Sequence, residues 1–215
     1  MIITIDGPAG AGKSTVAKRL AAMLGFDYLD TGAMYRAVAF CGLRENVNWD
    51  KPDDLVAIAE RMQIYVESGH TFVDGEDVSD AVRSADVTEK TRFAADNPAI
   101  RAIMVRWQQE AARGKSTVTE GRDQGTVVFP DAECKIYLTA SPEERARRRV
   151  QEYEQRGEKA DYNEILQRIN RRDAEDMARE IGPLCESADA IRVVTDGMTI
   201  DQVVAKLVAI VESRS

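Results

Sequence analysis

The sequence predicts an α/β fold in which helices cover both faces of a parallel sheet. Three observations support this: a strand-length apolar run begins the chain, four similar runs recur further along, and segments of helical periodicity lie between them. Strands that alternate with helices favour parallel pairing through crossover connections. Because ligands of such folds bind beyond the carboxyl ends of the strands, we expect the chemistry in those loops.

The elements follow in a regular order from the amino end. Residues 2–5 form a buried strand, and after a glycine-rich turn apolar side chains recur at helical spacing up to Gly25, which suits a C-terminal cap. A second strand covers residues 26–29. The helix after it starts at about Ala33, with Thr31 as its predicted N-cap.

The later elements repeat this alternation. Strands are predicted at residues 116–119, 135–138 and 192–195. Ser141 and Glu144 form a predicted capping-box pair around Pro142, which suits the first helical position. The chain closes with an amphipathic helix, whose apolar residues are Ile200, Val203, Val204, Leu207 and Val211.

Three segments differ from this alternation. Residues 62–82 hold short alternating runs and an Asp74-Gly75 turn, which predicts a small antiparallel insertion containing His70 at the surface. A helix begun by Pro98 carries an apolar stripe that we assign to the core: Ile100, Ile103, Met104, Trp107 and Ala111. Residues 141–180 contain nine of the 21 Arg but one of the eight Lys, and nearly as many carboxylates accompany them.

Composition excludes several classes of protein. The chain has 215 residues, with 29 Lys and Arg against 37 Asp and Glu, so a net charge of −8 disfavours broad nucleic-acid or membrane-surface binding. One His and three scattered Cys exclude a Cys/His zinc cluster and disfavour a Ser-His triad. The Cys pattern and the absence of a basic, apolar leader predict a cytoplasmic protein with reduced thiols. No surface feature predicts an oligomer, so we expect a monomer.

The strongest motif is the phosphate loop, residues Gly7–Ser14, which fits G-x-x-x-x-G-K-[ST] between a strand and a helix. Its glycines let backbone N–H groups turn towards phosphates, and the helix N-terminus adds its positive dipole. Lys13 would reach the β- and γ-phosphates and Ser14 would hold Mg²⁺. The predicted ATP contacts are Gly7, Pro8, Ala9, Gly10, Ala11, Gly12, Lys13, Ser14 and Thr15.

Transfer to a small acceptor is favoured over other uses of a phosphate loop. The sequence has no N-K-x-D tetrapeptide of a GTPase, and no uninterrupted apolar strand ends in the Asp typical of motor ATPases. Two alternatives stay open: a kinase acting on UMP or another small polar acceptor, and a nucleotide-dependent switch or interaction module without transfer.

Polar residues follow two further strands where an acceptor would bind. Asp30-Thr31-Gly32-Ala33-Met34-Tyr35-Arg36 places a hydroxyl, a ring and a guanidinium around one helix start. Glu120-Gly121-Arg122-Asp123 follows the strand at 116–119. Arg172, Asp176 and Arg179 are spaced to share one helical face, although a solvated ladder of charges has the same spacing.

These motifs together resemble the bacterial type of cytidylate kinase. The resemblance runs in order through Gly7–Ser14, Asp30–Arg36, Gly121–Pro130, Ser141–Arg149 and Arg172–Arg179. It implies a P-loop nucleoside-monophosphate kinase with a five-stranded parallel sheet and one kinase domain over 1–215. Its core would cover residues 1–61, 97–144 and 181–215, with a monophosphate-binding insertion at about 62–96 and a helical lid at about 145–180.

The implied reaction is ATP-dependent phosphorylation of CMP or dCMP to the diphosphate, with Mg²⁺. By the resemblance, Lys13, Arg122 and Arg148 are catalytic and Arg149 closes over ATP. The residues implied to bind the monophosphate are Thr31, Tyr35, Arg36, Arg101, Arg122, Asp123, Arg172, Asp176 and Arg179. Asp123 and Arg101 offer the acceptor and donor that cytosine requires.

One position departs from the family. A Ser that contacts the base commonly lies nine residues before the Arg matched by Arg101, and here Arg92 stands there. Either Thr91 substitutes after a small shift, or base recognition is weaker than elsewhere in the family.

Overall fold

The computed structural model describes residues 1–67 and 69–214. Within them the strands and helices are, in chain order, β1 (Ile2–Asp6), α1 (Lys13–Leu24), β2 (Asp27–Asp30), α2 (Thr31–Arg44), α3 (Pro52–Arg61), β3 (Ile64–Glu67), β4 (His70–Val73), β5 (Glu76–Asp77), α4 (Ala85–Ala95), α5 (Pro98–Ala112), β6 (Thr117–Gly121), β7 (Cys134–Thr139), α6 (Pro142–Gln155), α7 (Tyr162–Met177), β8 (Ile191–Val194) and α8 (Ile200–Glu212). A short 3₁₀ turn covers Ala81–Arg83, and a π-helical turn covers Gln124–Val128.

The strands form two sheets. The order of the larger one is β2-β6-β1-β7-β8, and its β1–β7 and β7–β8 pairs are parallel. The strands β3, β4 and β5 form a separate antiparallel sheet. The predicted α/β class, with five parallel strands and a small antiparallel insertion, is confirmed.

The chain divides into two compact units. The first unit comprises Met1–Phe26 and Val118–Ser215, and the second unit comprises Asp27–Thr117. The division of the sequence into core, insertion and lid was drawn by function rather than by compactness, and it stays a prediction.

The first unit is built on the central strands of the sheet. Ile3 and Ile5 of β1 and Ile136 and Leu138 of β7 are almost fully buried. The helix α8 buries the predicted apolar face, except Ile200, which is exposed. Ile200 is the first residue of α8 and directly follows the N-cap Thr199, so it lies at the exposed end of the helix.

The second unit has an aliphatic core. Residues from α2, α3, α4, α5 and the antiparallel sheet form one apolar cluster, with Val38, Ile58 and Met104 at most 2% exposed. The predicted stripe of α5 is buried at three of its positions and half-buried at Trp107, but Ala111 is exposed. Ala112 is buried instead.

Two predicted helix caps differ in detail. Asp30 caps α2, since its Oδ1 accepts from the Ala33 N–H at 2.8 Å, and Thr31 is the first helical residue. At α6 the Ser141 hydroxyl accepts from the Glu144 N–H as predicted, but the Ser141 N–H donates to Asp196. The Glu144 carboxylate instead binds Arg148, so the reciprocal half of the capping box is not formed.

Candidate active site

The phosphate loop connects β1 to α1 and depends on glycine at several positions. A Cβ on Gly7 would lie 1.9 Å from the Leu138 carbonyl oxygen, which excludes any side chain there. Gly10 and Gly12 have φ angles of 77° and 88°, in the left-handed region that favours glycine. Gly12 is the N-cap of α1, and without a capping side chain the first N–H groups of the helix remain available to an anion.

Lys13 is a buried cation in this loop. Lys13 is only 5% exposed, and its Nζ donates to the Pro8 carbonyl at 2.9 Å. Burial and, to a smaller extent, the positive charge of Arg122 lower the pKa of Lys13 to about 7, although the carboxylates of Glu120, Asp6 and Asp176 act in the opposite direction. A bound phosphate would supply the negative charge that favours the protonated ammonium.

The side-chain oxygens of Ser14 and Glu120, both of which can act as metal ligands, lie side by side. The Ser14 hydroxyl donates to Glu120 Oε1 at 2.7 Å, and Glu120 is buried near the end of β6. A hydroxyl and a carboxylate suit Mg²⁺, which binds few protein oxygens and keeps water and phosphate ligands. The sequence analysis noted Glu120 only within the acceptor-side motif Glu120–Asp123 and gave it no metal-binding role, although its place at the carboxyl end of an apolar strand was the available signal.

Asp6 fixes the turn that follows β6. Its carboxylate accepts from the backbone N–H groups of Gln124 at 2.8 Å and Gly125 at 2.7 Å. Burial raises the pKa of Asp6 to about 6 despite these two bonds. A Cβ on Gly125 would lie 2.9 Å from Thr4 Oγ1, so close packing also holds this turn. Asp6, which the sequence analysis missed, therefore anchors the segment that begins with Arg122.

Asp176 lies between two guanidinium groups. Arg122 Nε is 2.7 Å from Oδ2, and an Arg179 nitrogen is 2.6 Å from Oδ1. Burial would raise the pKa of Asp176, which is 2% exposed, but the charges of Arg122 and Arg179 hold that pKa below its ordinary value. Arg179 lies beyond the end of α7 and still pairs with Asp176. Arg172, one turn before Asp176, is exposed, and its charge also lowers the pKa of Asp176.

Other predicted residues of the first unit have partners of their own. Arg148 binds Glu144 at 3.0 Å and donates to the Thr195 hydroxyl and carbonyl. Arg149 pairs with Glu152 on the same helix at an exposed position. Asp123 is buried directly before the π-helical turn. The nucleotide-binding roles of these three side chains stay predictions.

In the second unit the predicted acceptor residues lie around the start of α2. The Arg101 guanidinium lies 5.7 Å from the centre of the Tyr35 ring, and Arg101 is buried and donates to the Ala95 carbonyl at 3.1 Å. An Arg36 nitrogen lies 3.4 Å from Asp30 Oδ1. Arg36 Nε is buried without a hydrogen-bond partner among the described residues, so it is available to an acceptor oxygen. Thr31 is buried.

The structure also shows how the departure at Arg92 is accommodated. The Arg92 guanidinium lies 5.0 Å from the centre of the Phe93 ring, at an exposed position. The Thr91 hydroxyl donates to the Val87 carbonyl at 2.7 Å, so its proton is already used within α4. In this arrangement Thr91 can offer a base only an acceptor. His70 is exposed, as expected, and contacts Asp77 at 2.9 Å.

Comparison with known sequences decides the family. The family model described as "Cytidylate kinase" matches residues 3–213. The chain belongs to the cytidylate kinase family. A cytidylate kinase of Rhodopirellula baltica is 50% identical over 203 residues, covering 94% of this chain and 89% of that protein. One of Caldanaerobacter subterraneus is 46% identical over 205 residues, covering 95% and 92%.

Solved structures agree with this cytidylate kinase fold. An uncharacterized protein from Eubacterium ventriosum matches with a TM-score of 0.55 and 15% identity, covering 100% of this chain and 99% of that one. A putative kinase from Chloroflexus aurantiacus matches with a TM-score of 0.50 and 14% identity, covering 100% and 97%. At such identities the likeness concerns the fold alone. In the described part of the chain, every helix is too short or too polar to cross a bilayer.

Proposed function

We propose that this chain transfers the γ-phosphoryl group of ATP to CMP, and also to dCMP, giving ADP and the cytidine diphosphate. One observation carries the proposal: Lys13 of the phosphate loop shares a charged cluster with Arg122 and Asp176, whose charges act on its pKa. The donor loop and part of the predicted acceptor set thus belong to one site. The family and its curated relatives support the same reaction.

The chemistry suits the residues of this cluster. Transfer forms a bond between the γ-phosphorus and a phosphate oxygen of CMP and breaks the bond to the β,γ-bridging oxygen of ATP. That acceptor oxygen is anionic at neutral pH, so no general base is needed. The remaining requirements are positioning and neutralisation of charge. Arg122 and Arg179 suit them, because a guanidinium stays charged and binds two oxygens in a fixed plane.

We assign Mg²⁺ binding to Ser14, as the sequence predicts, with Glu120 beside it. The ion would neutralise charge on the β- and γ-phosphates of ATP. Glu120 keeps the Ser14 hydroxyl oriented, since it accepts that proton at 2.7 Å. The other predicted nucleotide contacts, in the phosphate loop and at Arg148 and Arg149, retain their assignment to ATP.

The remaining predicted acceptor residues retain the role that the family resemblance gives them, which is binding of CMP. In the second unit, the support is the available Arg36 Nε, since a phosphate oxygen would satisfy it. In the first unit, the support is the Asp176 carboxylate, which can accept a bond from a ribose hydroxyl. We also propose a monomer located in the cytoplasm.

A coupled assay of ADP release, run with a panel of acceptors, tests this function. We expect turnover that requires CMP or dCMP, with UMP and small polar metabolites much poorer. Turnover that requires another acceptor would replace CMP as the substrate. ADP release at the same rate with and without every acceptor would indicate a nucleotide-dependent switch.

A further inference from the structure

Arg145 is a buried side chain that contacts the phosphate loop and has no role yet in the proposed reaction. It belongs to the first turn of α6 and is 3% exposed. Its Nε donates to the Ala140 carbonyl at 3.0 Å, and one terminal nitrogen donates to the Ala9 carbonyl of the phosphate loop at 2.9 Å. A Cβ built on Gly10 would lie 3.7 Å from Arg145 Cβ, so the stem of the side chain packs against the loop.

The other terminal nitrogen of Arg145 reaches a different helix. It lies 2.6 Å from Asp173 Oδ2, and Asp173 is a residue of α7, 28 positions further along the chain. Asp173 follows Arg172 directly and precedes Asp176 by three residues, which is about one helical turn. One guanidinium therefore connects the backbone of the donor loop to the helix that carries Asp176.

This contact is a poor candidate for a purely stabilising one. Both side chains are removed from water, and the second carboxylate oxygen, Asp173 Oδ1, has no hydrogen-bond partner among the described residues. Ion pairs in such surroundings often contribute no more stability than well-packed apolar residues would. Buried polar groups that lack partners call for an explanation in terms of function.

We propose that Arg145 and Asp173 are positioning residues, which hold the phosphate loop and α7 at the spacing that phosphoryl transfer requires. The planar guanidinium fixes three acceptors at once: the carbonyls of Ala9 and Ala140 and the Asp173 carboxylate. A lysine ammonium has neither that reach nor that planarity, so it cannot replace the arginine. The inference rests on the proposed function, because the spacing matters only if ATP and CMP react at this site.

The KM values for ATP and CMP distinguish the two ends of the contact, because one end holds the phosphate loop and the other holds α7. In Asp173→Asn the bond from Arg145 to Ala9 remains and the attachment of α7 weakens. We expect the KM for CMP to rise about tenfold and the KM for ATP to change less than twofold. In Arg145→Lys both attachments are lost, so the KM values for ATP and CMP should both rise about tenfold. Initial rates with each substrate varied in turn give these values.

Asp189→Asn is the matched control. Asp189 also pairs with a buried cation, Lys135, which donates to the Pro130 carbonyl and lies opposite Thr4 in the β1–β7 register, before the phosphate loop begins. We expect its KM values to equal those of the parent. Parent-like KM values in Asp173→Asn and Arg145→Lys, with kcat per folded molecule also equal to that of the parent, would overturn the proposal.

Folding and the parent reaction complete the test. Failure of Arg145→Lys and Asp173→Asn to fold, with Asp189→Asn folded, would show a structural contact and also overturn the proposal. If Arg145→Lys alone fails to fold, the KM split of Asp173→Asn decides. A parent protein that does not use CMP would refute the proposed function instead, and parent turnover with unaltered variants would refute only this inference.

Discussion

The two compact units bury different kinds of side chain. Among the described residues, Arg101 is the one acidic or basic side chain buried in the second unit, whose interior is otherwise aliphatic with a few neutral polar groups. The first unit buries eight acidic or basic side chains: Asp6, Lys13, Glu120, Asp123, Lys135, Arg145, Asp173 and Asp176.

The two units therefore differ in what stabilises them and in which of them holds the chemically active groups. Apolar burial stabilises a fold without directional demands, at roughly 25 cal/mol per Å². Buried charges contribute little net stability, but charges in a medium of low dielectric act strongly on one another and on a substrate. We infer that the second unit is stabilised mainly by apolar packing. In the first unit, the buried charges at the phosphate loop lower stability and produce a strong local electric field.

The largest expected effect is the loss of activity when one buried charge of the first unit is removed. Lys13→Ala removes an ammonium aimed at the transferred phosphate, and loss of one such group costs on the order of 10²- to 10³-fold in kcat. Circular dichroism should show a folded protein, because Lys13 lies at the buried start of α1 and its removal relieves the cost of desolvating a charge. Near-normal turnover in the coupled assay would remove the phosphate loop from the mechanism.

Removal of a buried apolar side chain from the second unit should affect stability alone. Met104 is fully buried in the aliphatic cluster, so Met104→Ala leaves a cavity and should lower the free energy of unfolding by about 2–5 kcal/mol. Urea unfolding measures this, and kcat per folded molecule should stay at the parent value. Met23→Ala is the control, since Met23 is 64% exposed and should change stability by less than about 0.5 kcal/mol.

The cost of burying Lys13 should be visible in the pH dependence of stability. Its pKa is about 7 in the folded state and 10.5 ordinarily, so between these values the unfolded state binds more protons. The contribution of Lys13 to stability therefore rises with pH above 7. Lys13→Met lacks this term, so its stability relative to the parent should fall by about 2 kcal/mol from pH 6.5 to pH 8.5. A pH-independent difference in urea unfolding would contradict a lowered pKa of Lys13 in the folded protein.

A smaller effect should separate acceptor binding from donor binding within the first unit. In Asp176→Ala the partner of Arg122 and Arg179 is lost, and transfer to CMP should fall about tenfold through a raised KM, while ATP affinity stays nearly constant. Glu175→Ala, at an exposed position on the same helix, should match the parent. An equal loss of ATP binding would show that Asp176 belongs to a structural ladder of charges.

The smallest effect concerns which base is selected. The Asp123 carboxylate can accept from the cytosine N4 amino group, where uracil offers a carbonyl, and mismatched buried polar groups cost roughly 1–3 kcal/mol each. We expect the parent to prefer CMP over UMP by at least about tenfold in kcat/KM. Asp123→Asn should reduce that ratio, because its amide can rotate to offer a donor. Equal efficiency for both acceptors in the parent would show that Asp123 does not select the base.

Much of the site was accessible from the sequence because its signals are local. The phosphate loop is eight consecutive residues between a strand and a helix, and the structure places it there. Asp176 and Arg179 are three residues apart and do form an ion pair. The family resemblance grouped Arg122 with Asp176 and Arg179, but no local pattern revealed the direct bond from Arg122 to Asp176, 54 residues away. Nor did the sequence choose between Thr91 and weaker base recognition, since the hydroxyl of Thr91 is oriented by its own helix.

The sequence by itself determined the order of the five parallel strands along the chain, the phosphate loop and the family, but it did not predict α3 or α4. Periodicity, glycine positions and short motifs act within a few residues of one another. Only the tertiary structure decided which charges are buried and what each one contacts. Glu120 meets Ser14 across 106 residues, Gly125 meets Asp6 across 119, and Arg145 meets Asp173 across 28. Such pairings depend on how the strand ends come together and on the exclusion of water, which no local pattern records.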